Sequence, residues 1–196
     1  MMRKILSMIT GGLLILGLVG CSSKTVEIQN DAASNPPTVT EEKPIEEKKT
    51  DTKVTYENFL KINMGAKYDE VKNILGDGKE ESSSEVAGIK TNLYSWNGSG
   101  ISNLTITMQN DEVTAKAQAG LESMDAKITL DKYNQVKEGM TYDEVKGILG
   151  EGQILSQTKI MDMEAIIYAW INKDGSNANF TFSDGKLEMK AQFNLK

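Results

Sequence analysis

Tyr68-Asp69-Glu70-Val71-Lys72-Asn73-Ile74-Leu75-Gly76-Asp77-Gly78 returns 74 residues later as Tyr142-Asp143-Glu144-Val145-Lys146-Gly147-Ile148-Leu149-Gly150-Glu151-Gly152, with nine identities in eleven positions. The same offset pairs Gly65 with Gly139, Tyr94 and Trp96 with Tyr168 and Trp170, and Lys116-Ala117-Gln118 with Lys190-Ala191-Gln192. Self-similarity at a fixed spacing marks a duplicated structural unit. The duplication relates residues 55–121 to 129–195 and divides the chain into a first repeat, 53–121, and a second, 122–196.

Each copy begins helically. Thr55 is a cap residue, and Tyr56, Phe59, Leu60 and Ile62 share a face at i, i+3, i+4 spacing; Leu130, Tyr133 and Val136 repeat the pattern. Gly65 and Gly139 interrupt the chain before a second helix, whose apolar side is Tyr68, Val71, Ile74 and Leu75 in one copy and Tyr142, Val145, Ile148 and Leu149 in the other. Thr141 and Glu144 have the spacing of a capping box, whereas Lys67 replaces the cap residue in the first copy. Gly76 and Gly150 stand where such helices end.

Beyond the helices the apolar period becomes two. Strands are expected near 80–86, 89–96, 103–109 and 112–119, and again near 156–161, 164–171, 179–183 and 186–195. Asn110-Asp111 and Asp184-Gly185 are tight-turn pairs. The fold class is therefore α+β: two tandem α-α-β-β-β-β repeats forming a long antiparallel sheet with helices on one face. Strict alternation sends Leu187, Met189, Ala191, Phe193 and Leu195 one way and Lys186, Glu188, Lys190, Gln192 and Asn194 the other. In the first copy Val113, Ala115 and Ala117 oppose Thr114, Lys116 and Gln118. This assigns Lys116, Gln118, Lys190 and Gln192 to the solvent face, as candidate partner-binding residues. Tyr94, Trp96, Tyr168 and Trp170 lie on one face of their strands, opposite Leu93 and Ile167, and two roles stay open for them: core beneath the helices or exposed partner anchors.

Ahead of the repeats, Arg3 and Lys4 precede an apolar, Gly-containing run from Ile5 to Val19 that ends at Gly20-Cys21, with the only cysteine of the chain. The run reads as an export signal, residues 1–20, too short for a comfortable membrane span. The small residue before Cys21 resembles a bacterial lipobox, which implies cleavage after Gly20 and lipid attachment to Cys21. Removing residues 1–20 takes two cations and no acid, so the formal charge moves from −6 to −8. Residues 21–52 are rich in Ser, Thr, Asn, Pro, Glu and Lys and poor in large apolar side chains. Such a segment reads as a disordered linker of roughly 30 Å reach, from 5–6 Å × √n. The expected location is extracytoplasmic, lipid-anchored to a bacterial membrane; the bias of Lys over Arg points to the cell membrane of a Gram-positive source.

Function classes narrow by subtraction. There is no His, which removes His-based nucleophile pairs, imidazole bases and His-ligated zinc. Negative charge with a single Arg argues against nucleic acid as a partner. Asn172-Lys173-Asp174-Gly175 lacks the ligand ladder of a calcium loop, and Gly76-Asp77-Gly78 follows its helix and carries an acid, so neither a metal nor a phosphate-bearing cofactor is expected. A carboxylate-dependent hydrolase is the remote enzymatic alternative.

The Gly-x-x-Tyr-Asp-Glu-Val-x-x-Ile-Leu-Gly helix, the Tyr-x-Trp strand and the final Lys-bearing strand together resemble the tandem repeat of the β-lactamase inhibitor protein family. They also resemble repeats of bacterial lipoproteins of unknown function and, distantly, small outer-membrane assembly lipoproteins. The resemblance spans about 140 residues. It implies a non-catalytic, inhibitor-like protein-binding module whose sheet grips an envelope or secreted protein, with a structural or assembly lipoprotein of the envelope as the alternative. The chain departs from the inhibitors in lacking cysteines to staple each repeat, and has Gly78 and Gly152 where many relatives have Pro.

Overall fold

A computed structural model describes residues 53–196; the readings of residues 1–52, including Cys21, fall outside the described residues. The first repeat runs α1 (Tyr56–Lys61), α2 (Tyr68–Leu75), β1 (Lys79–Val86), β2 (Ile89–Asn97), β3 (Asn103–Gln109) and β4 (Glu112–Ala119). The second runs α3 (Leu130–Gln135), α4 (Tyr142–Leu149), β5 (Gln153–Ile160), β6 (Met163–Ile171), β7 (Asn177–Ser183) and β8 (Lys186–Phe193). All eight strands form one antiparallel sheet in the order β1 to β8.

Local chemistry explains the elements. Thr55 Oγ1 accepts the Asn58 N–H, and Thr129 Oγ1 accepts the Lys132 N–H, capping α1 and α3. At α4 the capping box is complete: Glu144 N–H donates to Thr141 Oγ1 at 3.3 Å, and Thr141 N–H donates to Glu144 Oε2 at 2.7 Å. At α2 only the return half exists, from Lys67 N–H to Glu70 Oε1 at 3.0 Å, because a lysine cannot accept. Both turn residues of Asn110-Asp111 and of Asp184-Gly185 have positive φ, the twist that a two-residue hairpin requires.

The helices cover one face and split the core in two. Phe59, Ile62, Val71 and Leu75 pack on Trp96, Leu104, Ile106 and Val113; Val136, Val145 and Leu149 pack on Trp170, Phe180, Phe182 and Leu187. Leu60, expected on the buried side of α1, is 46% exposed. Six residues make fewer than two turns, and the sheet contacts only the Phe59 and Ile62 side.

The repeats meet where β4 pairs with β5 through three rungs, Ala115 with Thr158, Lys116 with Gln157 and Ala117 with Ser156. Ile154 of the second repeat packs on the first core, and its N–H donates to Tyr56 Oη at 2.7 Å. The start of β4 is occupied instead by the α1–α2 loop, with Gly65 N–H to Val113 O at 2.8 Å and Val113 N–H to Ala66 O at 3.0 Å. The α3–α4 loop does the same to β8 through Gly139, Met140 and Leu187.

Candidate functional site

The face of the sheet opposite the helices is a surface on which neighbouring strands present side chains in continuous rows. One row crosses all eight strands: Lys79, Ser95, Thr105, Ala117, Ser156, Ile167, Thr181 and Met189. The next is Ser82, Leu93, Thr107, Ala115, Thr158, Ala165, Ser183 and Lys186. Cations stand only at the rims. Between them the row residues are small and neutral or apolar, while carboxylates reach in from the flanking bulges: Ser95 Oγ donates to Glu81 Oε1 at 2.6 Å, and Ser183 Oγ donates to Glu188 Oε2. Toward β8 the surface becomes more apolar, with Met189 and Phe193 each 63% exposed. A depression of about 360 Å³ opens beside Thr158, Ala165 and Ser183, walled by Ile160 and Met163 and by the acids Glu164, Asp184 and Glu188. Rows of neutral side chains beside a recess rimmed by carboxylates offer a surface for a partner, since charge is depleted at interface centres and kept at their rims.

Lys116, Gln118, Lys190 and Gln192 are not on this surface. The expectation of strict alternation fails because β4 carries a bulge at Thr114, between the rungs Met108–Val113 and Thr107–Ala115, and β8 carries the equivalent one at Glu188, between Phe182–Leu187 and Thr181–Met189. One extra residue reverses every later side chain. Val113 and Leu187 point to the core, but after the bulges Ala115, Ala117, Met189, Ala191 and Phe193 turn to the open face, and the Lys and Gln residues turn toward the helices.

There the two lysines hold helix ends. Lys116, 4% exposed, donates from Nζ to Phe59 O at 3.1 Å and Ile62 O at 2.7 Å and lies 4.7 Å from the Phe59 ring centroid. Lys190 donates to Tyr133 O at 3.0 Å and Val136 O at 2.7 Å, 4.2 Å from the Tyr133 ring. Phe59 O and Tyr133 O also accept the Ile62 and Val136 N–H at 3.3 Å, whereas Ile62 O and Val136 O accept no backbone N–H among the described residues, as expected past a helix C-terminus, where a cation also complements the dipole. Burial pushes the Lys116 ammonium down to about 8, with the Glu164 carboxylate opposing the shift. Burial lowers that of Lys190 as well, and nearby Lys137 adds to it. Gln118 Oε1 accepts the Leu121 N–H and its Nε2 donates across the junction to Ile154 O at 2.8 Å; Gln192 Oε1 accepts the Leu195 N–H.

Of the two roles open to the aromatic pairs, the structure selects core. Trp96 is 3% exposed and Trp170 fully buried, and their Nε1 donate to Gly76 O and Gly150 O, tying each strand to its helix end. Tyr94 stacks near Tyr68 at 4.6 Å and Tyr168 on Tyr142 at 4.0 Å. A Cβ at Gly78 would lie 2.4 Å from the Trp96 ring, and one at Gly152 would lie 2.6 Å from Trp170, which accounts for glycine at both positions. Alternation did place Leu93 and Ile167 opposite these rings; Ala115, Ala117 and Met189 were missed because the bulges have no signature in the apolar pattern.

Among the described residues, no group of three or more His, Cys, Asp or Glu side chains is placed to hold a metal ion, and no helix is long and apolar enough to cross a membrane. No curated protein matches the chain. Among solved structures, a "putative beta-lactamase inhibitor protein" from Streptococcus mutans superposes with a TM-score of 0.61 at 22% identity, over 71% of this chain and 95% of that one. The family model described as Beta-lactamase inhibitor (BLIP) matches residues 55–170, which span both helix motifs and both Tyr-x-Trp strands. The chain belongs to the β-lactamase inhibitor (BLIP) family.

Proposed function

We propose that the protein is an extracytoplasmic lipoprotein, anchored through Cys21, whose open sheet face binds another protein of the envelope or secreted pool in an inhibitor-like, non-catalytic manner. The observation that carries the binding reading is the pair of rows of neutral side chains that cross the sheet between rim cations, with the depression at Thr158, Ala165 and Ser183 as the seat for a side chain of the partner. The anchor reading rests on the apolar run ending at Gly20-Cys21.

The test uses the secreted and envelope fractions of the source and a panel of β-lactamases. Ala117→Arg and Ala165→Arg each place a long cation in the middle of the face without touching the core. Wild type is expected to retain a specific partner or inhibit a panel member, and both variants to lose at least tenfold in affinity while keeping the wild-type melting temperature. A partner retained equally by both variants overturns the assignment of the face. Cys21→Ala is expected to abolish fatty-acid labelling and membrane retention; a variant that still labels overturns the anchor.

A further inference from the structure

The two ends of the sheet are the two halves of its own internal junction. In the middle of the molecule, Ala115, Lys116 and Ala117 on the outer edge of β4 receive Thr158, Gln157 and Ser156 of β5. An offset of 74 residues carries the first set to Met189, Lys190 and Ala191 of β8, and the second back to Ser84, Ser83 and Ser82 of β1. Both are the outermost strands, so their outward edges pair with no strand among the described residues.

The match goes beyond strand position. The α3–α4 loop covers only the start of β8, at Lys186 and Leu187, as the α1–α2 loop covers only the start of β4, so the span that β5 takes in the middle of the sheet is left open at its end. The bulge that precedes the receiving span is present in both copies. Gln118 reaches across the junction to Ile154 O; Gln192 is held the same way through its Oε1, while its Nε2 donates to no group among the described residues. Met189 and Phe193, the exposed apolar side chains of β8, border the same edge.

We infer that β8 of one copy of this chain receives β1 of a second copy, pairing Met189 with Ser84, Lys190 with Ser83 and Ala191 with Ser82, and so continues the sheet head to tail. An isologous β8–β8 pair centred on position 190 would set Lys190 against Lys190, and like charges directly opposite are unfavourable. The head-to-tail pair sets it against a serine. The contact is heterologous, so repetition builds a chain of copies rather than a closed dimer. Two features keep it weaker than the internal junction. Glu80 stands where β5 has Ile154, and beside the three rungs Glu85 of one copy meets Glu188 of the other. Screening of these acids, and of the net negative charge of each copy, makes added salt strengthen the association.

The test uses the full chain carrying Cys21→Ser, so that engineered thiols are the only ones. A Ser82→Cys chain is mixed with an Ala191→Cys chain at several hundred micromolar and mildly oxidised. The mixture is expected to give a two-chain product, mapped by mass spectrometry to a peptide joining β1 to β8, at least fivefold more than either chain alone. A chain carrying both substitutions is expected to give a ladder of higher oligomers. Both positions are exposed, and circular dichroism checks that the variants fold. No product above the single-variant background, or equal self-linking of the single variants, overturns the inference. Sedimentation of the chain with Cys21→Ser alone supplies the independent reading: its average mass is expected to rise with concentration, and more steeply at 0.5 M than at 0.05 M salt. A monomer throughout at both salt concentrations overturns it as well.

Discussion

Lys116 and Lys190 are where a polar side chain does the work of packing. Each ammonium sits under a short helix and takes two of its terminal carbonyls, and each stem fills the gap between helix and sheet. Lys116→Met keeps the stem and deletes the donor. The expected cost is about 1–3 kcal/mol by urea unfolding, the range for leaving one buried acceptor, here Ile62 O, without a partner. Lys190→Met should cost less, because Lys190 is only half-buried. The pH dependence has a definite sign. With the folded ammonium at about 8 and the unfolded one near 10.4, the unfolded chain binds more protons between those values. The Lys116 contribution to stability therefore rises with pH across that window, by at most about 1.4 kcal/mol per unit. Unfolding of wild type and Lys116→Met from pH 7 to 10 checks this: the gap between them should widen in favour of wild type, and a narrowing gap would mean that the ammonium gains on folding.

Among the elements, the paired helices give an internal comparison. α2 and α4 share nine of the eleven motif residues yet differ at the cap, Lys67 against Thr141. Thr141→Ala should cost about 1 kcal/mol, and Lys67→Thr should gain somewhat less, since it gives up the exposed pair of Lys67 with Glu112 at 3.0 Å. Equal and negligible effects in a denaturant titration would count against the cap. Elements of this kind were legible in the sequence because caps, glycines and the 3.6-residue period are local signals. The face of the final strands was not. An apolar pattern of period two has no mark for an inserted residue, and Met189, Ala191 and Phe193 read as core when counted from Leu187. A better sign was available in the recurrence of Lys116-Ala117-Gln118 as Lys190-Ala191-Gln192, since solvent alone does not require the same lysine and glutamine in both copies. The Tyr-x-Trp face could not be chosen either way, because both faces of β2 and β6 carry apolar side chains.

The molecule as a whole has two cores but one sheet, and the junction between the repeats is more than strand pairing. Ile154 fills the first core, Tyr56 and Gln118 hold its backbone, and Gln153 Nε2 donates to Glu122 O at 3.1 Å. Each repeat has only about 70 residues, near the lower limit for independent folding. Unfolding of the whole chain is expected in a single transition, and residues 122–196 expressed alone should lack a cooperative melt. Two resolved transitions by calorimetry would show that the cores act separately. The architecture was legible at this scale because duplication doubles every signal; the contacts between the copies were not, since Tyr56 and Leu130 occupy matching positions and only the first has a hydroxyl to meet the next strand.

The lysine anchors also determine how the domain bears load. A pull on the chain from its N-terminal side meets Lys53, whose carbonyl accepts from Asn58 Nδ2 at 2.8 Å, and Val54, buried in the first core, and then α1, a helix of six residues that would unwind easily alone. Phe59 and Ile62 are fastened by Lys116, and Lys116 sits on the fourth of eight strands. Tension is thus delivered to the middle of the hydrogen-bonded sheet and bypasses β1, the outer strand that could be peeled away one rung at a time. Lys116 thereby joins the first helix of the domain to the centre of the sheet, beside the core packing of Phe59 and Ile62.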